Sequence, residues 1–382
     1  MVKKVGCVIA YRKGHNNYGT SLQGYAMLKK IQQLGYEIEV INYIKKLSIF
    51  EKMHWIINAY RCGLLNRKTL RTQSLPANYA KNLAERTEAV DTYKAEKLFP
   101  FFRDYKGYPA LCEGSKNYDV VVVGSDQVWL PSGLPTKFFN LLFVDDSVRK
   151  VAYASSFGVQ AIPEFQKNAT GAYLDRFYKI GVREQRGKEI VDTLSHQTAQ
   201  VVADPTLLLS REEWEEEISS SIINDTEPYM FCYLISENEE ARARATELAK
   251  QKGVKIICIR HMEMYRSIDE TYGDEAPYNV GPNDFVKYIR NAEYVVTDSF
   301  HCTVFSHIFH KKFLTFYRSE SGNNARNSRI DSLIYILGSN IERLYDIGGV
   351  SGIDSDVDWD VVDFNLSKLR ENSICFLEQA LH

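Results

Sequence analysis

At 382 residues the chain is too long for one compact core, and its length points to two domains. Hydrophobic residues make up 45% and charged residues 25%, which excludes a disordered, collagen-like or low-complexity chain. Lys and Arg number 47 against 49 Asp and Glu, for a net charge of −2, so no global cationic field marks nucleic acid as a partner.

The seven cysteines (Cys7, Cys62, Cys112, Cys232, Cys258, Cys302, Cys375) never fall within four residues of one another. That spacing offers no CxxC pair, and an odd count argues against a disulfide framework, so a reducing compartment is expected. Lys3 and Lys4 precede an apolar run of seven residues, Val5 to Tyr11, that ends in Arg12-Lys13. Such a run, without a cleavage site, reads as a buried strand and not a leader. No stretch approaches the length of a membrane span. The expected location is cytoplasmic, peripheral at the inner face of a membrane at most.

Short β-branched runs alternate with helical stretches, the pattern of parallel α/β layers. Val5–Tyr11 reads as a strand and Gly14–Gly19 as a polar loop. A helix with Leu22, Tyr25, Ala26 and Leu34 inward follows and ends at Gly35, before a strand at Glu37–Tyr43. Residues 45–71 break the pattern with seven Lys or Arg against one Glu51, interleaved with Ile49, Phe50, Trp55, Ile56, Ile57 and Tyr60. That mixture fits either an interfacial helix at an anionic membrane or a solvated helix packing an apolar stripe inward. Strands resume at Tyr118–Val123, Val151–Ser155, Ile180–Val182 and Val201–Ala203. Residues 211–227 carry seven acids and one Arg and read as a surface helix and linker. A second set follows, with strands at Tyr229–Ile235, Val254–Ile259, Tyr294–Thr297 and Phe313–Tyr317. The expected architecture is α/β, two Rossmann-like domains facing a cleft: residues 1–210 on the acceptor side, an acidic linker at 211–227, and residues 228–350 on the donor side. Residues 351–382 form a tail and helix that packs back on the first domain.

Ligands of doubly wound sheets bind beyond the carboxyl ends of strands, and four such loops are unusually polar. His15-Asn16-Asn17-Tyr18-Gly19 suits a sugar or anion; the alternative is turn chemistry with Thr20 or Ser21 capping the helix. Gly124-Ser125-Asp126-Gln127 offers either a helix cap or a carboxylate able to orient or deprotonate a sugar hydroxyl. Arg183 ends a buried strand, where a guanidinium either grips phosphate or carboxylate in bidentate fashion or pairs internally with Glu184 or Asp204. Thr297-Asp298-Ser299-Phe300-His301 brings a hydroxyl, helix amides and an imidazole together as an anion site with a proton donor, Asp298 being placed to orient the ring. Arg318, Arg326 and Arg329 follow the last strand and face either the cleft or solvent. His307 and His310 lack an acidic partner at ligand spacing, and Asp354-Ser-Asp356-Val-Asp358 lacks the Gly and Glu of a calcium loop, so no metal is expected.

Six segments together resemble the polysaccharide pyruvyl transferase family: Asn17-Tyr18-Gly19 with Leu22-Gln23; Val123 to Trp129; Tyr153 to Gly158; Val182-Arg183-Glu184; Asp204 to Leu208; and Thr297 to His301. In order and spacing they cover about residues 5–340. The resemblance implies a fold like the two-domain GT-B glycosyltransferases. It also implies transfer of pyruvate from phosphoenolpyruvate, a co-substrate and no resident cofactor, to a sugar of a surface polysaccharide or its lipid-linked precursor as a ketal. It places the donor-binding Arg at Arg183 and the catalytic His at His301. Cys302 departs from the family, which commonly has Gly there, and a side chain at that point narrows the donor loop. With the residue chemistry added, His301 is the expected proton donor and Asp126 the hydroxyl base. Arg183, Ser299 and Arg329 hold the donor; Asn17, Tyr18 and Ser125 hold the acceptor. A GT-B glycosyltransferase using a nucleotide sugar and a non-catalytic sugar- or anion-binding protein are the competing readings.

Overall fold

The computed structural model describes residues 3–11, 14–46, 49–62, 75–221, 223, 227–318 and 324–382. Strands β1 (Lys4–Val8), β2 (Glu37–Ile44), β3 (Phe102–Lys106), β4 (Val120–Val123), β5 (Arg149–Ser155), β6 (Lys179–Val182) and β7 (Ala199–Val201) form one parallel sheet ordered β3-β2-β1-β4-β5-β6-β7. A second parallel sheet, ordered β11-β10-β8-β9, is built from β8 (Tyr229–Tyr233), β9 (Lys255–Cys258), β10 (Tyr294–Thr297) and β11 (Lys312–Thr315). Every residue of β4, β8 and β10 is buried, because helices cover both faces of a parallel sheet. In both sheets the polar βα loops therefore emerge at the carboxyl ends. Only β3 was unexpected from sequence.

The two sheets are joined through a continuous apolar core that includes Tyr18, Leu22, Trp214, Phe285 and Phe305. The Tyr18–Gln33 helix is one of the elements that join them. Tyr18 stacks on Phe285 at 4.5 Å between ring centroids, and its hydroxyl donates to the Val280 carbonyl at 3.0 Å. Gly35, with φ +85°, takes the left-handed turn just past that helix, which a side chain would strain.

The acidic stretch after residue 210 is anchored, not loose. Ser210 and Glu213 form a reciprocal capping box on the Arg211–Glu217 helix. Trp214, wholly buried, donates its indole N–H to Thr206 and meets Phe305 edge-on at 4.9 Å. One large aromatic pointing inward outweighs a helix face of glutamates facing water.

The Trp359–Leu381 helix lies against the first sheet. Phe376 approaches Tyr153 at 6.2 Å, Ser373 accepts the Ala203 amide at 2.9 Å, and Arg370 donates to the Leu207 and Leu209 carbonyls. Among the described residues, no helix is long and apolar enough to cross a membrane.

Candidate active site

Three strand ends of the first sheet place charged groups side by side. Asp126 follows β4, Arg183 follows β6 and Asp204 lies just beyond β7. From the second sheet, His301 enters on the Phe300–Ile308 helix after β10, and Arg329 comes from the Asn324–Leu337 helix. Asp126 is held at φ +76°, a conformation that Asp tolerates better than most residues, and this turns its carboxylate toward the others.

Arg183 is the hub. Its Nη1 donates to Asp204 at 2.9 Å and its Nη2 to Asp126 at 3.2 Å, with Glu184 at 3.9 Å from Nε. Buried Nε has no hydrogen-bond partner. Of the two internal partners left open by the sequence, Asp204 is met at hydrogen-bond distance and Glu184 only at 3.9 Å; the pairing with Asp126 was not foreseen. The guanidinium also lies 4.8 Å from the Phe300 ring centroid, and that of Arg329 5.6 Å from the same ring.

The electrostatics follow from enclosure. Burial alone would raise Asp204, but His301, Arg183 and the Thr206 hydrogen bonds outweigh it and hold the carboxyl far below the usual range. Asp126 has the same balance, with burial outweighed by Arg183, His301 and Arg329, and is likewise lowered. Glu184 goes the other way. Burial raises it despite Arg183 and a 2.7 Å hydrogen bond from Ser156, and its buried Oε2 lacks a partner. Arg329, buried beside the Arg183 charge, is pushed down to about 9. Its closest counter-charge, Asp126, stands at 3.9 Å, and its Nε is unpartnered. Arg329 is thus an incompletely matched cation.

His301 packs against the start of the Tyr18–Gln33 helix. A Cβ on Gly19 would come within 2.1 Å of its ring, so only glycine at that position admits the imidazole. Its Nε2 lies 3.7 Å from Asp204, beyond hydrogen-bond reach, and has no partner. Ionisable groups are therefore gathered around an imidazole nitrogen with nothing yet to bond.

The remaining sequence candidates divide. Ser125 is fully buried; its hydroxyl donates to the Ala154 carbonyl at 3.0 Å and its amide to Gln23 at 3.1 Å. Asn17, and not Thr20 or Ser21, caps the first helix by accepting the Thr20 amide. Tyr18 is consumed by packing between the sheets, as described above. These three expected acceptor contacts are thus engaged by the fold itself. Ser299 is the N-cap of the Phe300–Ile308 helix, accepting the Cys302 amide.

Asp298 does not orient the His301 ring. It accepts the Ile235 amide at 2.6 Å, the Ser236 amide at 2.8 Å and the Ser236 hydroxyl at 2.5 Å, and so ties two loops of the second domain together. Cys302 is wholly buried in the main apolar core. Arg318 donates from Nε to the Asp298 carbonyl at 2.9 Å, and the Arg326 side chain lies outside the described residues.

Sequence reasoning missed Gly19 as the space for a ring, Thr20 as a donor to Asp126 at 3.3 Å, Phe300 as a shared cation platform, and Glu184 as more than a partner for Arg183. Gly19 and Glu184 stood inside quoted motifs, yet each role needs a contact from a distant segment. An open cavity of about 260 Å³ lies elsewhere, between the Tyr79–Lys97 helix and the loop after β9, lined by Tyr79, Arg260, His261, Tyr265 and Arg266 among others. Its lining also brings Asp269 and Glu270 beside those basic side chains. The sequence-predicted Asp126, Arg183 and His301 meet instead in the Arg183 cluster. Among the described residues, no three His, Cys, Asp or Glu side chains are grouped to hold a metal ion.

The family model described as Polysaccharide pyruvyl transferase matches residues 17–320, which include every group in this cluster but Arg329. A putative UDP-N-acetylglucosamine 2-epimerase from Listeria monocytogenes aligns with a TM-score of 0.51 and 10% identity, over 97% of this chain and 91% of that one. The UDP-GlcNAc 2-epimerase of Neisseria meningitidis aligns at 0.48 with 10% identity, over 97% and 99%, and Acinetobacter baumannii MurG at 0.42 with 10% identity, over 99% and 98%. At such identities the likeness concerns the fold alone, a pair of parallel α/β units of the GT-B kind. None of the curated proteins compared matches the chain in sequence.

Proposed function

We propose that this chain, which belongs to the polysaccharide pyruvyl transferase family, moves pyruvate from phosphoenolpyruvate onto a glycan or lipid-linked sugar as a ketal. The observation that carries the reading is the unpartnered, buried Nε2 of His301, set among Arg183, Arg329 and Asp204. A proton donor enclosed with cations is what an enol phosphate requires.

In this reading His301 delivers its proton to the methylene carbon, and positive charge develops at C2. A sugar hydroxyl adds there, forming the first C–O bond and losing its proton to a carboxylate. A second hydroxyl then closes the ring as the C–O bond to phosphate breaks; its proton returns to His301 and the carboxylate's proton leaves with the phosphate, so donor and diol become ketal and inorganic phosphate. Arg329, short of counter-charge, is the main grip on the donor anion. Arg183 is the second, already oriented by Asp204 and Asp126. Ser299 contributes the helix N-terminus it caps. Of the two candidate bases, Asp126 is weakened by its cations, whereas burial makes Glu184 the stronger proton acceptor.

The test is phosphate release from phosphoenolpyruvate with defined sugar acceptors, with product mass read for the added pyruvate. Thermal shift separates the nearest rival: phosphoenolpyruvate should raise the melting temperature and UDP- or GDP-sugars should not. The reverse pattern sinks the proposal, and stabilisation by phosphoenolpyruvate without phosphate release under any acceptor reduces it to binding.

A further inference from the structure

The Ile49–Arg61 helix is amphipathic but faces the wrong way for a soluble domain. Ile49, Phe50, Met53, Ile56, Ile57 and Tyr60 fall at spacings of one, three and four, forming a single stripe. That stripe points outward: Ile49 is 75% exposed, Phe50 76% and Tyr60 71%. The opposite side carries Trp55, 45% exposed, with Asn58 and Ala59 beneath. Ala59 is buried, and Asn58 donates to the Pro131 and Ser132 carbonyls while accepting from Gln166 at 2.7 Å. Arg61 covers Phe165 with its guanidinium 3.8 Å from the ring centroid. The helix is thus fastened by polar contacts beneath, with its apolar side unspent. Among the described residues the stripe is not packed inward, the alternative that the sequence left open.

We propose that this face seats the protein on an anionic lipid bilayer. Charge selects the occupant. Among the described residues Lys45, Lys46, Lys52 and Arg61 stand on or beside the helix that carries the stripe, in the stretch of sequence richest in Lys and Arg over acids. Anionic headgroups complement that charge while the acyl boundary takes the aromatic and aliphatic side chains. A second copy of the chain would bring two such cationic segments together, and their repulsion opposes a symmetric interface. The location also serves catalysis. The helix follows the carboxyl end of β2 and packs on the Pro131–Thr136 turn beyond β4, the same sheet edge from which Asp126 and Arg183 project. A bilayer at this face presents a lipid-linked acceptor to the side on which the charged cluster lies. That consequence rests on the transferase reading, whereas the surface itself does not.

Flotation of the full chain with equimolar phosphatidylcholine–phosphatidylglycerol vesicles tests the proposal. The wild-type chain should float, less well on pure phosphatidylcholine and less well as salt screens the headgroups. The Ile49→Ser/Phe50→Ser/Tyr60→Ser variant should lose at least about tenfold in vesicle affinity, with melting temperature and turnover of a soluble acceptor unchanged. Wild type that fails to float at low salt overturns the proposal, as does equal flotation of the variant. A wild-type dimer that the variant converts to monomer, without flotation, assigns the face to protein instead. Flotation as expected with no pyruvyl transfer to any acceptor upholds the surface and refutes only the transferase reading.

Discussion

Around Arg183 the protein encloses charge, and along the Ile49–Arg61 helix it exposes oil. Each arrangement is costly by itself. Desolvated carboxylates and guanidinium groups lose water that pairing only partly replaces, and exposed Ile, Phe and Tyr forgo the gain of burial. In the first region the chain compensates internally: Arg183 binds Asp204 and Asp126, and Thr206 adds two hydrogen bonds to Asp204. In the second the described residues offer no compensation within the chain. The contrast separates a cluster whose charges are paired within the chain from a surface whose apolar side chains the described residues leave uncovered.

The comparison breaks first at His301. His301→Ala should lower turnover by about two to four orders of magnitude, the range for losing a general acid, while donor affinity falls less because Arg329 and Arg183 remain. Single-turnover kinetics at saturating phosphoenolpyruvate separates the two. Equal losses in binding and chemistry would make the imidazole a mere counter-charge.

Arg183 tests the enclosure itself. Removing one member of a buried ion pair leaves uncompensated charge, so Arg183→Ala should cost about 3–5 kcal/mol of stability. Urea unfolding should show it as a lower midpoint at unchanged slope. A variant as stable as wild type would mean that Asp126 and Asp204 find other cations. The same pairs set the acid limb. Both carboxyls are lowered in the folded protein, so their contribution is fully present above the unfolded carboxylate value near 4 and is lost as pH falls from there toward the folded values. Glu184 is raised and has the opposite sign, costing stability as pH rises through its unfolded value. The melting temperature should therefore hold through neutral pH and drop below about pH 4. Asp204→Asn should start lower and lose less on acidification.

A smaller effect is expected at Asp298. Asn keeps one acceptor oxygen for the three donors from Ile235 and Ser236, and leaving a buried donor unmet costs about 1–3 kcal/mol. Asp298→Asn should lower the melting temperature and leave turnover at saturating substrate near wild type. Lost turnover at unchanged stability would restore the ring-orienting role that its position beside Ser299 and His301 suggested.

What the sequence disclosed follows the range of the forces involved. The buried strands and polar loop ends were legible because VVVV in β4 and YVVT in β10 declare themselves locally. Strand β3, FRDYK, was not. It pairs only with β2 at the edge of the sheet, buries only Tyr105, and carries Arg103 and Asp104 outward. In the acidic 211–227 stretch the composition showed a surface helix but not that Trp214, wholly buried, helps to fasten it. At the site the members could be named but not their bonds. Asp126, Arg183, Asp204 and His301 were each visible as polar residues at strand ends, yet whether Arg183 meets Asp204 or a ligand depends on sheet order. Asn17 shows the reverse case: a cap is a local interaction, and the sequence offered it as one alternative with the wrong residue.

The smallest expected effect completes the contrast. Phe50→Ser removes a large apolar side chain from water, so neither a cavity nor an unpaired donor results. The stability change should stay within about 0.5 kcal/mol, as for ordinary surface sites, against the several kcal/mol expected at Arg183. Urea midpoints of the two variants, measured side by side without lipid, give the comparison directly. A loss at Phe50 of about 2 kcal/mol or more, the scale of a buried aliphatic or aromatic side chain, would show that the helix packs its stripe in solution, and the lipid-facing surface would not exist. A negligible change without lipid and a lost stabilisation with anionic vesicles would show that the energy of those side chains is realised only at the membrane.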